Sequence, residues 1–303
     1  MKALRYEHHG GPEVLQIAEV DEPHAGPGQV RIAVRAAGVN PVDWKQRKGL
    51  MKVKLPKTPG SDVAGIVDEV GSDVPGVSVG EEVFGAAVTG GAAQYAVLYA
   101  FAVKPAAMSF EEAAGLPVAV ETSVRVLELL GISEGDTLVI NAAAGGVGSA
   151  AVQLARARGI TVIGTASPDN HDYLRGLGAT PTTYGEGLPE RVGALAPGGV
   201  DYAFDAGGRG ALPELIEITG GPDRVVTIAD FPGAQATGVR FTGGAGGQSR
   251  AWHALAEAAE LYERGELSMP VARTFPLEQG AEAHRVSEEG HVRGKLVLVV
   301  DPA

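Results

Sequence analysis

The chain has no cysteine at all. That excludes disulfides, a thiol nucleophile and every thiolate-ligated zinc or iron site. Its seven histidines include no pair at His-x-x-x-His spacing, and His8-His9 sits beside a glycine turn, so they form no metal ligand set. No stretch approaches the run of about eighteen apolar residues that marks a bilayer span, and Met1-Lys2-Ala3-Leu4-Arg5-Tyr6 has no apolar run of signal length. A cytoplasmic protein with no membrane partner is expected. Positive charge is short as well: 25 Lys and Arg against 37 Asp and Glu leave a formal net charge of -12. Such a balance opposes the counterion-driven association on which nucleic-acid binders depend. Internal repeats and low-complexity tails are missing too.

With 303 residues, 45% of them hydrophobic, there is material for two domains, each with its own core. The one dense basic stretch, Lys45 to Lys57 with Arg47, Lys48, Lys52 and Lys54, reads as a solvated loop, Lys45 being the residue to watch. From Met1 to about Leu116 short β-like runs alternate with glycine and proline: Val14 to Val20, Gln29 to Val34, Val63 to Val70, Glu82 to Ala86 and Gln94 to Val97. Helical periodicity is nearly absent there, which suggests a compact all-β or barrel-like unit.

Near Pro117 the pattern changes. Val118 to Leu130 reads as a helix, Thr137 to Asn141 as a buried strand, Gly148 to Arg158 as a helix and Ile160 to Thr165 as another strand, with Asp201 to Asp205 and Arg224 to Ile228 strand-like further on. Alternation of this kind builds a parallel sheet with right-handed crossovers. A glycine-rich stretch, Gly243 to Gly247, predicts a mobile loop, and Trp252 to Arg264 a helix. Val271 to Phe275 and Lys295 to Val300 return to strands that would rejoin the N-terminal unit.

The most informative segment follows the strand Thr137 to Asn141. Ala142-Ala143-Ala144-Gly145-Gly146-Val147-Gly148 leads straight into an apolar helix from Ser149. Gly145 and Gly146 would let a pyrophosphate approach the backbone, Gly148 would let helix and strand pack closely, and the helix N-terminus supplies free N–H groups. Ala143 stands where the common dinucleotide fingerprint has its first glycine. An ordinary tight turn is the plain alternative, but strand, turn and helix occur in the order a dinucleotide site requires. The end of the next strand should separate the nicotinamide cofactors, since a carboxylate there would hold the ribose hydroxyls of NAD. It reads Thr165-Ala166-Ser167-Pro168-Asp169-Asn170. Ser167 offers a donor to a 2′-phosphate, which favours NADPH, while Asp169 would favour NAD if turned inward. Arg175 is either a cation for that phosphate or a solvated helix charge.

Several segments besides the glycine turn carry a resemblance: Gly38-Val39-Asn40-Pro41-Val42-Asp43, Pro59-Gly60-Ser61-Asp62-Val63-Ala64-Gly65, Asp205-Ala206-Gly207-Gly208 and Gly294-Lys295-Leu296-Val297. In this order they resemble the zinc-independent quinone oxidoreductase branch of the medium-chain dehydrogenases and reductases. The resemblance implies an α/β protein: a GroES-like, mainly β substrate domain over 1–117 completed by 266–303, a doubly wound Rossmann domain binding NADPH over 118–265, and a homodimer. Zinc-dependent relatives carry a histidine-glutamate pair where this chain has Ser61-Asp62, so no metal is expected.

What the resemblance implies for single residues can be stated in the same way. Asn40 and Lys45 are the catalytic candidates, as donor and charge near the acceptor oxygen and nicotinamide, although Asn40 could instead cap a loop. Thr122 matches a threonine close to the cofactor, with Val120 and Glu121 in place of the usual Gly-Leu. The cofactor set is completed by Ala144, Gly145, Gly146, Val147, Gly148, Thr165, Ser167, Asn170, Tyr184, Gly207, Ile228, Phe241 and Lys295. For Tyr184, Ile228 and Phe241 packing is the plain alternative, as it is for Trp44, Trp252 and Phe84 as walls of an acceptor pocket. The expected reaction is hydride transfer from NADPH to a quinone or other conjugated carbonyl, with protonation from solvent. An enoyl or 2-alkenal reductase, or a non-catalytic NADPH-binding crystallin-like protein, are the alternatives.

Overall fold

The computed structural model describes residues 1–243 and 249–301. Of the expected loop Gly243 to Gly247, only Gly243 falls within them. In chain order the strands are β1 (Lys2–Arg5), β2 (Gln16–Glu19), β3 (Val30–Val39), β4 (Asp62–Val70), β5 (Glu82–Ala87), β6 (Tyr95–Val103), β7 (Thr137–Asn141), β8 (Thr161–Thr165), β9 (Thr180–Thr182), β10 (Tyr202–Asp205), β11 (Val225–Thr227), β12 (Arg240–Phe241), β13 (Val271–Pro276) and β14 (Lys295–Val299). The α-helices are α1 (Pro41–Arg47), α2 (Phe110–Ala114), α3 (Pro117–Leu130), α4 (Gly146–Ala157), α5 (His171–Leu177), α6 (Leu188–Leu195), α7 (Leu212–Thr219), α8 (Phe231–Thr237), α9 (Ala254–Glu263) and α10 (Gly280–Glu289).

Two compact units result, Met1–Val118 with Leu255–Ala303, and Ala119–Ala254. The second crossing therefore falls at 254/255, not at 265/266. Helix α9 belongs with the first unit because Tyr262 on it donates through its hydroxyl to Ala107 O at 3.3 Å and to Glu112 Oε2 at 3.4 Å.

In the first unit the sheet order is β13-β14-β3-β4-β5-β6, and β3 also pairs with β6, so four antiparallel strands close into a ring. Val30, Ile32 and Val34 alternate into its core, each at most 1% exposed, as a half-buried strand requires. The expected strand from Val14 is shorter, since Pro12–Val14 form a 3-10 turn ahead of β2. Three helices that the sequence reading did not anticipate, α1, α2 and α10, fall in this unit. The first two are short, with few turns in which a helical period could show. C-terminal β14 runs antiparallel to β3, Leu296 opposite Val39, which brings Lys295 beside Asn40, the residue that follows β3 and caps α1.

The second unit carries a parallel sheet ordered β12-β11-β10-β7-β8-β9. Counting from β7, this is the doubly wound order 3-2-1-4-5-6, with its switch point between β7 and β10. Helix α4 packs on the sheet through small residues: Ala150, Ala151, Val152, Leu154 and Ala155 are all fully buried. That face lets the first turn of the helix lie directly over the end of β7.

Candidate active site

The glycine turn joins β7 to α4. Ala142 adopts a left-handed φ of 61° and donates its N–H to Thr165 Oγ1 at 3.1 Å. Ala143, fully buried, fills space left by a glycine on the neighbouring strand: a Cβ on Gly164 would stand 2.8 Å from the Ala143 methyl. The alanine at the fingerprint's first position is thus matched by a missing side chain opposite. Gly145 is the extended N-cap of α4, and Ser149 N donates to Gly145 O at 2.8 Å. The N–H groups of Gly146, Val147 and Gly148 precede that first helical bond and have no acceptor within the helix. At Gly145 a Cβ would meet only Ala142 O at 3.5 Å, whereas at Gly148 it would stand 2.4 Å from Ala142 O and 2.7 Å from Ala143 Cα. Gly148 is needed by the fold, and Gly145 leaves room for a ligand. Free amides at a positive helix end form a cradle that fits a pyrophosphate.

A row of hydrogen-bonded side chains runs along the C-terminal strand ends beneath this cradle. Thr165 on β8 donates to Asn141 Oδ1 on β7 at 2.7 Å. Asn141 Nδ2 donates to Asp205 Oδ1 on β10 at 2.8 Å, and Thr227 on β11 donates to Asp205 Oδ2 at 2.7 Å. Asp205 and Thr227 are fully buried. Gly207 N and Gly208 N donate to Asp205 Oδ1 at 3.1 and 2.8 Å, while Ile228 N donates to Asp205 O at 3.1 Å. Thr165, Gly207 and Ile228 are therefore brought together; Asn141, Asp205 and Thr227 were not among the sequence candidates. Threonine or asparagine as the last residue of successive strands was the signal that could have found them.

Beyond β8, Ser167 Oγ accepts from Asn170 Nδ2 at 3.0 Å, so the serine hydrogen is available to a ligand. Asp169 and Tyr184 are exposed, and Arg175 pairs with Asp172 on the surface of α5. Phe241 meets Phe231 edge-on, ring centroids 5.2 Å apart. Thr122 donates to Glu121 Oε2 at 3.3 Å. Buried Glu121 is gripped by Arg125 Nε at 2.8 Å and Arg250 Nη1 at 3.0 Å. Burial works to raise its carboxyl pKa, but the hydrogen bond and charge of Arg125, with Arg250, hold it below the usual range. On α3 the neighbouring Ser123 places its hydroxyl 2.7 Å from Ala119 O, one helical turn back, and 3.1 Å from Val147 O of the glycine turn.

The first unit holds a separate buried cluster. Asn40 caps α1 through its backbone, its N–H donating to Asp43 Oδ2 at 2.8 Å, so the side-chain amide is not used as a loop cap. Instead Nδ2 donates to Asp62 Oδ2 at 2.8 Å, and Oδ1 accepts from Lys295 Nζ at 2.5 Å. Lys295 Nζ also reaches Asp62 Oδ2 at 3.1 Å, and Val118 N donates to Asp62 Oδ1 at 2.9 Å. Burial, the largest cause, pushes Asp43 up to about 6. Lys45 lies half-buried, its ammonium 5.7 Å from the centre of the Trp44 ring. Phe84 on β5 is fully buried. A zinc ion does not fit at Ser61-Asp62: both Asp62 oxygens are taken by N–H donors, one of them an ammonium, and neither histidine nor cysteine adjoins in sequence. Among the described residues no group of three or more His, Cys, Asp or Glu could hold a metal.

A doubly wound sheet with a phosphate cradle, joined in one chain to a closed β unit, defines a dinucleotide-binding dehydrogenase or reductase. Two family models match, described as the alcohol dehydrogenase GroES-like domain over residues 26–107 and zinc-binding dehydrogenase over 177–298. The chain is 33% identical to an NADPH-dependent alkenal/one oxidoreductase of Arabidopsis thaliana, covering 100% of this chain and 80% of that protein. It is 30% identical to a quinone oxidoreductase of Sus scrofa, covering 99% and 98%. It also matches the spectinabilin polyketide synthase system protein NorB of Streptomyces orinoci, 37% identical over 91% of this chain but only 13% of that much longer protein. Among solved structures, the quinone oxidoreductase of Coxiella burnetii superposes with a TM-score of 0.82 at 32% identity, covering 99% of both chains. A mycobacterial protein in complex with NADPH gives 0.83 at 26% identity, covering 99% of this chain and 100% of that one. The chain belongs to the quinone oxidoreductase branch of the medium-chain dehydrogenase/reductase superfamily.

Proposed function

We propose that this protein is a zinc-independent oxidoreductase that reduces a quinone or another conjugated carbonyl compound with NADPH. The observation that carries the reading is the cradle of free amides at Gly146, Val147 and Gly148, fixed over the end of β7. When bound, the reduced nicotinamide supplies the hydride. The chain's own residues do the rest. The turn and the first coil of α4 receive the pyrophosphate without a basic side chain. Ser167, with Asn170 behind it, receives the 2′-phosphate, and Tyr184, beyond β9, flanks it.

Asn40 is the donor to the acceptor oxygen. One of its two amide hydrogens is held by Asp62, and the other is free to point at a carbonyl. Lys295 on Oδ1 draws electron density from the amide and strengthens that donor. Pre-aligned dipoles of this kind replace the Lewis acid of zinc-dependent relatives. Lys45 offsets charge on the reduced acceptor, and solvent supplies the proton. Support for conjugated acceptors comes from the relatives, one named for quinones and one for alkenals and alkenones. A homodimer in the cytoplasm accords with the same reading.

The test is the oxidation of NADPH followed at its absorbance maximum, with a simple quinone and with a simple enone as separate acceptors. Turnover of either supports the proposal, and the ratio of kcat/KM values assigns the preference. Saturable NADPH binding with no turnover on both would instead favour the non-catalytic alternative.

A further inference from the structure

We propose that Asp205 is a positioning residue, the common acceptor that holds the loops on both sides of the switch point ready for the nicotinamide half of the dinucleotide. The inference rests on the nucleotide reading above and concerns a carboxylate that touches no ligand in that reading. Its two oxygens accept from Asn141 Nδ2, Thr227 Oγ1, Gly207 N and Gly208 N. Only an ionised carboxylate can accept all four and donate none. That fixes the polarity of the whole row. Asn141 must turn its amino group toward β10, so its oxygen faces Thr165, whose hydroxyl donates to it and is left to accept from Ala142 N. On the other side Thr227 spends its hydrogen on Asp205, and its oxygen accepts from Ala229 N at 3.1 Å and Asp230 N at 3.2 Å.

Three loops are therefore keyed to one charge: the turn after β7, the Ala206–Gly208 bend after β10 and the residues after β11. The Asn141 to Asp205 bond spans the switch point itself, where ligands of such sheets lie. With the pyrophosphate on the β7 turn and the adenosine half along β8, the loops after β10 and β11 serve the nicotinamide half. Loops already ordered need no ordering when the ligand arrives, which converts directly into affinity and alignment.

Thr227→Val removes one donor and the anchor of the β11 loop while keeping shape. Against the purified protein, titrations with NADPH and with 2′,5′-ADP, which lacks the nicotinamide half, are expected to diverge. NADPH should bind about tenfold more weakly, and 2′,5′-ADP within about twofold of the parent protein. Thr227→Ser should restore NADPH binding. Unchanged NADPH affinity in Thr227→Val, or parallel loss of both ligands, overturns the inference. Parent protein that binds neither ligand instead sinks the nucleotide reading on which it rests. Hydrogen exchange on the nucleotide-free parent protein gives a second arm that no folding defect can spoil. The amides of Gly207, Gly208, Ala229 and Asp230 should be protected before any ligand is added, and rapid exchange there overturns the inference as well.

Discussion

Lys295 donates to the side-chain oxygen of Asn40, and both residues hold the same oxygen of Asp62. The three come from the start of β14, the residue after β3 that caps α1, and the start of β4, and all are at most 5% exposed. A buried cation is thereby bound to the group proposed to polarise the acceptor. Lys295→Met should lower kcat on the preferred acceptor by about 100-fold, the scale seen when one aligned oxyanion donor is lost. It should also cost about 3–5 kcal/mol of stability by leaving Asp62 without its ammonium. Asn40→Ala should show the first effect with less of the second. Rate assays paired with urea unfolding separate the two, and a fully active Lys295→Met would remove Lys295 from the chemistry.

Two glycines of the same turn should behave differently when replaced by alanine. At Gly148 the added methyl meets the backbone of Ala142 and Ala143, so the variant should lose about 1–3 kcal/mol or more of stability. At Gly145, where φ is -75° and the nearest atom stands at 3.5 Å, the fold should accept the methyl with little change in Tm. Calorimetry should then find NADPH binding about tenfold weaker, because the methyl occupies the ligand's side of the cradle. Normal NADPH affinity in Gly145→Ala would argue that the pyrophosphate does not lie there.

Two buried groups of the first unit make opposing contributions to pH dependence. Burial, with the nearby Arg47 charge, drives His284 down to about 3, so below its ordinary value the unfolded chain binds the extra proton and stability falls as pH drops from about 6.5 to 3. Burial drives Asp43 up to about 6, so between 3.8 and 6 the folded chain binds the extra proton and stability falls as pH rises. In the shared range the two slopes nearly cancel. His284→Gln should unmask Asp43 as a loss on the order of 3 kcal/mol between pH 3.8 and 6. Asp43→Asn should unmask the opposite slope. Melting curves collected across this range check both signs.

Prolonged treatment with a strong chelator should leave turnover unchanged, since the donor set around Asp62 offers a metal neither a soft ligand nor a free oxygen. Metal analysis of active protein is the companion measurement. Stoichiometric zinc whose removal abolishes activity would refute zinc independence.

Much of the fold could be read from residue order. Strand-helix alternation after Pro117 gave the parallel sheet, because buried parallel strands are written as short continuous apolar runs such as Leu138 to Ile140. The N-terminal β unit was legible from its turn residues, but α1 and α2 were not, at seven and five residues too short to display a period. The site was legible where it is local. Gly145 to Gly148 are contiguous, so spacing alone marked them. Asp205 and Thr227 take their meaning from partners brought beside them only by sheet order, and Asp62 from partners at positions 40, 118 and 295. Such pairings leave no trace in spacing. The boundary at 254/255 was hidden for the same reason, since a helix's own sequence does not say which core its apolar face will join.

The pairing of β14 with β3 also orders events during synthesis. Residues 119–254 are consecutive, so the nucleotide-binding half is entirely translated, and able to collapse on itself, while the cluster of Asn40 and Asp62 in the other unit is still missing its ammonium. Asn40 and Asp62 must wait more than two hundred residues for Lys295 to leave the ribosome. Until then the cluster is half made, its carboxylate without a counter-charge, and it is completed only once β14 has emerged.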